Sequence, residues 1–64
     1  MNRLKELRIK SGLSRYELSI LSGVSERMIR YYETDYKPLN KASVDTVLRI
    51  AKTLNCGVED IVKI

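Results

Sequence analysis

The sequence contains no His, no Trp and no Phe, and in 64 residues it has one Cys, one Pro and three Gly. Without His, a Ser or Cys nucleophile has no imidazole base to activate it, and Cys56 alone leaves a zinc site nothing but an unusual carboxylate set. A lone cysteine makes no internal disulfide, which excludes a small secreted disulfide scaffold and points to a reducing compartment, the cytoplasm. No apolar run reaches the roughly 18 residues of a membrane span, and no charged-then-apolar leader opens the chain. Neither a transmembrane segment nor a signal peptide is therefore expected. Low-complexity segments and internal repeats are missing too, and no metal or cofactor is called for.

What the sequence has is charge and apolar residues in moderate supply. It carries 12 Lys and Arg against 8 Asp and Glu, a net charge of +4, and 44% of its residues are apolar. That suffices for one small domain spanning residues 1–64, with a margin thin enough for a partner chain or ligand to contribute stability. The charge is uneven. Residues 1–41 hold nine basic and five acidic side chains, whereas residues 42–64 balance at three each. The first two thirds therefore suits a polyanion, and the neutral remainder suits a scaffold or partner surface.

Short helices punctuated by Ser and Gly account for almost every residue, and no alternating strand pattern persists, so the expected class is all-α. A first helix from Arg3 to Lys10 turns Leu4 and Leu7 inward and stops at Ser11-Gly12. The clearest start follows, with Ser14 as N-cap and Glu17 three residues on as a capping box, and with Leu13 stapled onto Leu18. This second helix runs to Ser22. Gly23-Val24-Ser25 repeats the arrangement: Gly23 closes the second helix, Ser25 caps the third, and Val24 staples onto Ile29. The segment from Thr34 to Ala42 contains the only Pro and reads as a loop. A fourth helix begins after Ser43, with Val44, Val47, Leu48, Ala51 and Leu54 on its core stripe. Asn55 is its left-handed terminator, and Gly57 opens a last short helix that supplies Val58, Ile61 and Val62 to the core.

Two short helices joined by a tight Gly-containing turn form the helix-turn-helix pattern, whose second helix enters the major groove of DNA. At about 100° per residue from Ile29, Tyr32 falls near 300° and Glu33 near 40°, on the core side. Arg30 near 100°, Arg27 near 160°, Tyr31 near 200° and Met28 near 260° face outward, with Glu26 at the tip. Such a face suits DNA: Arg pairs with guanine O6 and N7, Glu accepts from cytosine N4, and a Tyr ring contacts a thymine methyl or reaches a phosphate. Glu33, a carboxylate on the core side, needs a cation. On the first helix Arg8 occupies the matching inward position, which predicts an Arg8–Glu33 ion pair.

These residues resemble the Cro and phage-repressor type of helix-turn-helix regulators, the XRE family. The resemblance covers essentially the whole chain and is most specific at Leu4-Lys-Glu-Leu-Arg8, Gly12-Leu-Ser-Arg-Tyr-Glu-Leu-Ser19, Gly23-Val-Ser25, Ile29-Arg-Tyr-Tyr-Glu33 and Leu48-Arg-Ile-Ala-Lys-Thr-Leu54. It implies a compact five-helix bundle, with Arg8 and Glu33 in the family's buried Arg–Glu positions. It implies base reading by Glu26, Arg27 and Tyr31, with Met28 and Arg30 beside them. Phosphates would be held by Ser14 and Arg15 at the start of the second helix and by Tyr36, Lys37 and Lys41 after the third. The chain departs from the family where Arg15 replaces the usual Gln, favouring electrostatic over directional anchoring, and where Asp35 rather than Gly follows Thr34. The stretch Val24–Glu33 is also similar to the MerR family, but that family has no preceding helix and adds a basic wing, and neither feature fits here.

The expectation is a sequence-specific regulator of double-stranded DNA, repressor-like, acting as a homodimer on a two-fold symmetric operator. The dimer contact is expected in the neutral part, near the last helix connection and Ile64. No membrane and no small-molecule effector is expected. The alternative is a protein-interaction module, an antirepressor, antitoxin or adaptor, that keeps the fold without specific DNA binding and uses Met28, Tyr31, Tyr32 and Tyr36 as an aromatic patch. An enzyme is disfavoured, since nothing pairs a base with a nucleophile or builds a pocket. Cys56 reads as a small packing residue rather than a redox centre.

Overall fold

Five α-helices follow one another, α1 (Arg3–Lys10), α2 (Arg15–Ser22), α3 (Glu26–Thr34), α4 (Tyr36–Asn40) and α5 (Val44–Thr53), with a 3-10 turn over Val58–Asp60. The structure is a computed structural model that describes residues 3–62, and Tyr36 and Lys37 in their backbone only. No strand occurs among the described residues, and none of their helices is long and apolar enough to cross a membrane. The all-α bundle expected from the sequence is therefore present.

Local chemistry sets most of the boundaries. α1 stops where Gly12 takes φ +75° and donates its N–H to Ile9 O at 2.9 Å. α2 starts in a complete capping box: Glu17 N donates to Ser14 Oγ at 3.0 Å, and Ser14 N donates to Glu17 Oε1 at 2.9 Å. The two bonds satisfy amides that the first turn leaves without helical partners. Gly23, at φ 75°, closes α2 by donating to Ser19 O, and Ser25 Oγ accepts from Met28 N to open α3. All three residues of this turn are used, because Val24 is buried in the core and its N–H donates to Ser22 Oγ at 3.2 Å. Ser43 caps α5 through Thr46 N, and Asn55 beyond its end takes φ 55°.

α3 is the centre of the packing, lying against α1, α2 and α4, while α5 packs on α2 and the 3-10 turn. Leu4, Leu18, Ile29, Leu39, Ile50 and Ile61 are fully buried, so every helix and the C-terminal turn each send one large side chain into a single core. Burying each is worth about 1.5–3 kcal/mol. Leu7, Leu13, Ala42, Cys56, Val58 and Val62 pack around that centre. Burial pushes the Cys56 thiol above its ordinary range, helped by Asp60 and opposed by Arg3, which agrees with a packing role.

Four sequence expectations need correction. The segment expected to be a loop contains α4, and the last expected helix is a 3-10 turn. Pro38 does not forbid α4, since it is the third residue, where a backbone N–H would have no helical acceptor. Leu39, with no exposure, anchors the segment. On α5 the core stripe is Val47, Ile50, Ala51 and Leu54, while Val44 and Leu48 are 75% and 40% exposed. With Ile50 included, the buried set spans an arc of about 100°, which leaves Leu48 about 100° from Val47. Asp35, finally, has φ −153° and ψ 148°, an extended conformation open to any residue, so the glycine that the family favours is not required.

Candidate nucleic-acid interface

The turn Gly23–Ser25 fixes α3 with Ile29, Tyr32 and Glu33 inward. Glu26, Arg27 and Arg30 are exposed, Tyr31 is 57% exposed and Met28 37%. A groove along this outer face is lined by Ser25, Arg27, Met28, Arg30, Tyr31 and Thr34. Thr34 was missed by the sequence reading, although it falls about 140° from Ile29, within the outward arc. Tyr32 belongs to the core at 6% exposure, which removes it from the aromatic contact patch of the protein-binding alternative. Its ring lies 6.5 Å from that of Tyr31, so the outer ring rests on an anchored one.

The electrostatics divide the basic residues into two groups. Arg3 pairs with Glu6, Arg49 with Asp45, and Arg8 with Glu33. Arg27 and Arg30 have no ion-pair partner among the described residues. Two guanidiniums with unspent donors, a carboxylate at the helix tip and an exposed Tyr and Met can together match guanine, cytosine and thymine edges in a major groove.

Beneath this face Glu33 is held by α1. Arg8 Nε donates to Glu33 Oε2 at 2.5 Å, Nη2 donates to Oε1 at 3.3 Å, and Nη1 donates to Leu13 O at 2.7 Å. One guanidinium thus ties α1 to α3 and to the link before α2. No buried polar side-chain atom among the described residues lacks a partner. The sequence pairs Arg8 with Glu33 by angular position, but the Leu13 carbonyl gave no signal because it is a backbone group. A second omission is Arg15, whose Nη1 lies 3.7 Å from Glu33 Oε1.

Of the residues assigned to phosphate, Ser14 has both its backbone N–H and its hydroxyl engaged with Glu17. The bonds from the Ser14 backbone and hydroxyl hold the Glu17 carboxyl below its ordinary range. Lys41 is exposed and borders a depression shared with Tyr31, Thr34, Asp35 and Pro38, so it lies beside the outer face of α3. The side chains of Tyr36 and Lys37 lie outside the described residues.

Comparison with known proteins gives one match. A family model described as helix-turn-helix, of the XRE type represented by Cro and C1, matches residues 4–61. No curated protein and no solved structure matches the chain. The matched residues run from the first core residue of α1 to the last fully buried one, Ile61, and so include the turn, the outer face of α3 and the Arg8–Glu33 pair. The chain belongs to the XRE-type helix-turn-helix family of DNA-binding regulators, a regulatory rather than an enzymatic family.

Proposed function

We propose that this chain is a sequence-specific, repressor-like transcriptional regulator whose α3 reads the major groove of double-stranded DNA. The observation that carries the reading is the outer face of α3, where Arg27 and Arg30 stand without ion-pair partners among the described residues while Arg3, Arg8 and Arg49 are engaged elsewhere. In this reading Glu26, Arg27 and Tyr31 contact bases with Met28 and Arg30 beside them. Ser14, Arg15, Tyr36, Lys37 and Lys41 hold phosphates, which fixes the register of the helix in the groove.

A single copy makes few phosphate contacts, and two-fold symmetry doubles them, so the reading includes a homodimer on half-sites about 34–36 Å apart. The neutral C-terminal part offers the contact surface, with Val44 and Leu48 exposed on α5. Near it an apolar groove is lined by Leu39, Ala42, Val44, Val47, Val58 and Val62. Ile64, assigned to the same contact, lies outside the described residues.

Selection of bound sequences from a random duplex library tests both parts. A two-fold symmetric consensus is the expected result, and an asymmetric one refutes the symmetric dimer. The absence of binding to any duplex at low salt refutes DNA recognition and leaves the protein-interaction reading.

A further inference from the structure

Glu33 faces two guanidiniums. Its side chain is 3% exposed, Arg8 occupies both of its oxygens from the core side, and Arg15 Nη1 stands 3.7 Å from Oε1 on the solvent side. The Arg8 side chain is 10% exposed and the Arg15 side chain 34%. The cluster is therefore closed at Arg8 and open at Arg15, the first residue of α2.

The separation of 3.7 Å is too long for a hydrogen bond and short enough for a direct, partly solvent-screened attraction. Arg15 makes no hydrogen bond among the described residues, so its orientation is biased by Glu33 while its N–H donors stay unspent. Net charge at this point does little, because Glu17 sits in the same turn and its carboxylate is held ionised by Ser14. What the cluster offers an incoming anion is a directed planar donor, a geometry matched to phosphate oxygens.

We propose that Glu33 is a positioning residue for DNA binding, its buried carboxylate holding the Arg15 guanidinium in place for one backbone phosphate. This rests on the DNA-binding reading above. The buried pair then has a second task besides joining α1 to α3: it links the core to the phosphate contact. The usual Gln at this position cannot be held by charge, whereas Arg can.

The test uses the duplex obtained by selection and titrates binding against salt. Arg15→Gln is expected to weaken binding about tenfold on every sequence and to reduce the salt slope by about one. Arg15→Lys, which keeps the charge and loses the fork, is expected to keep the slope and still lose most of that affinity. In the charge-free background Arg8→Met/Glu33→Leu, with folding checked by circular dichroism, Arg15→Gln is expected to cost less than about threefold, a gap of about 0.7 kcal/mol or more. Wild-type-like binding by Arg15→Lys overturns the proposal, as does an undiminished cost of Arg15→Gln in the charge-free background. Both outcomes leave DNA binding intact. Failure of the wild-type chain to bind any duplex removes the DNA reading and the proposal with it.

Discussion

Removing one side of the Arg8–Glu33 pair is expected to be far more harmful than removing both. In Arg8→Met the Glu33 carboxylate, 3% exposed, loses the guanidinium that contacts both its oxygens. Stranding a buried charge costs about 3–5 kcal/mol. Arg15 recovers part of this from 3.7 Å away. At that distance the gross attraction is about 4 kcal/mol for a dielectric constant near 20, but exposure of the Arg15 side chain screens it to about 1 kcal/mol. The expected loss is therefore about 2–4 kcal/mol for Arg8→Met. Glu33→Leu leaves the Arg8 guanidinium buried with only the Leu13 carbonyl as acceptor, so the full cost of about 3–5 kcal/mol applies. The double variant Arg8→Met/Glu33→Leu buries no charge and is expected within about 1 kcal/mol of the wild type. Urea unfolding followed by circular dichroism measures all four proteins. With a slope near 1 kcal/mol/M, a loss of about 3 kcal/mol moves the midpoint by about 3 M, enough to leave the single variants partly unfolded in water. A single variant within 1 kcal/mol of the wild type, or a double variant as unstable as the singles, would refute the reasoning.

Other expectations concern the glycines, acid stability and the division between bases and phosphates. Gly23→Ala is expected to cost about 1–2 kcal/mol, from the left-handed conformation, with an added methyl only 3.3 Å from Arg49 Nη1. Gly12→Ala, with nothing within 4 Å of the added carbon, should cost no more than Gly23→Ala; a larger loss at Gly12 contradicts the geometry. Because the folded-state carboxyl of Glu17 lies below its ordinary value of 4.5, its stabilising effect is complete above that value and fades as pH falls through the lowered one. Thermal unfolding of Glu17→Gln against pH should show a deficit at neutral pH that closes in acid, and a constant deficit would count against the capping box as the cause. Arg27→Ala should cost about 1–3 kcal/mol and relax preference at one base pair per half-site, whereas Lys41→Ala should weaken all sequences alike. Binding arrays on single-substituted duplexes separate the two, and the reverse pattern would exchange their roles.

Much of the fold was legible because its signals are local. Ser14 with Glu17, Gly23 with Ser25, and Asn55 act over three or four residues, and the structure places each where the spacing requires. The inward set of α3 was legible from angle alone. What was not legible depends on how helices pack against one another. α4 is held by burial of Leu39 beside α3, which no cap announces. The rotation of α5 turned on Ile50, whose inclusion moves Leu48 to the rim. At the site, exposure of the α3 face could be read from the sequence. The approach of Arg15 to Glu33 could not, since it requires α2 to be seated on α3.

The turn between α2 and α3 has a consequence for how its length can vary. Each of its three residues is committed: Gly23 to the left-handed stop, Val24 to the core, Ser25 to the cap. An inserted residue that is absorbed by α3 rotates everything beyond it by about 100°. Residues that now face outward would then swing toward the core, and Ile29 would swing toward water. Insertion is thus all-or-none here, tolerated only where the new residue is looped out without advancing the helix. The link before α2 is committed as well, Gly12 to the left-handed stop of α1 and Leu13 to the core and to Arg8 through its carbonyl. A library of single-residue insertions along residues 3–62 should therefore show a sharp gap in folded clones across residues 23–25, and full tolerance there would refute the rotation argument.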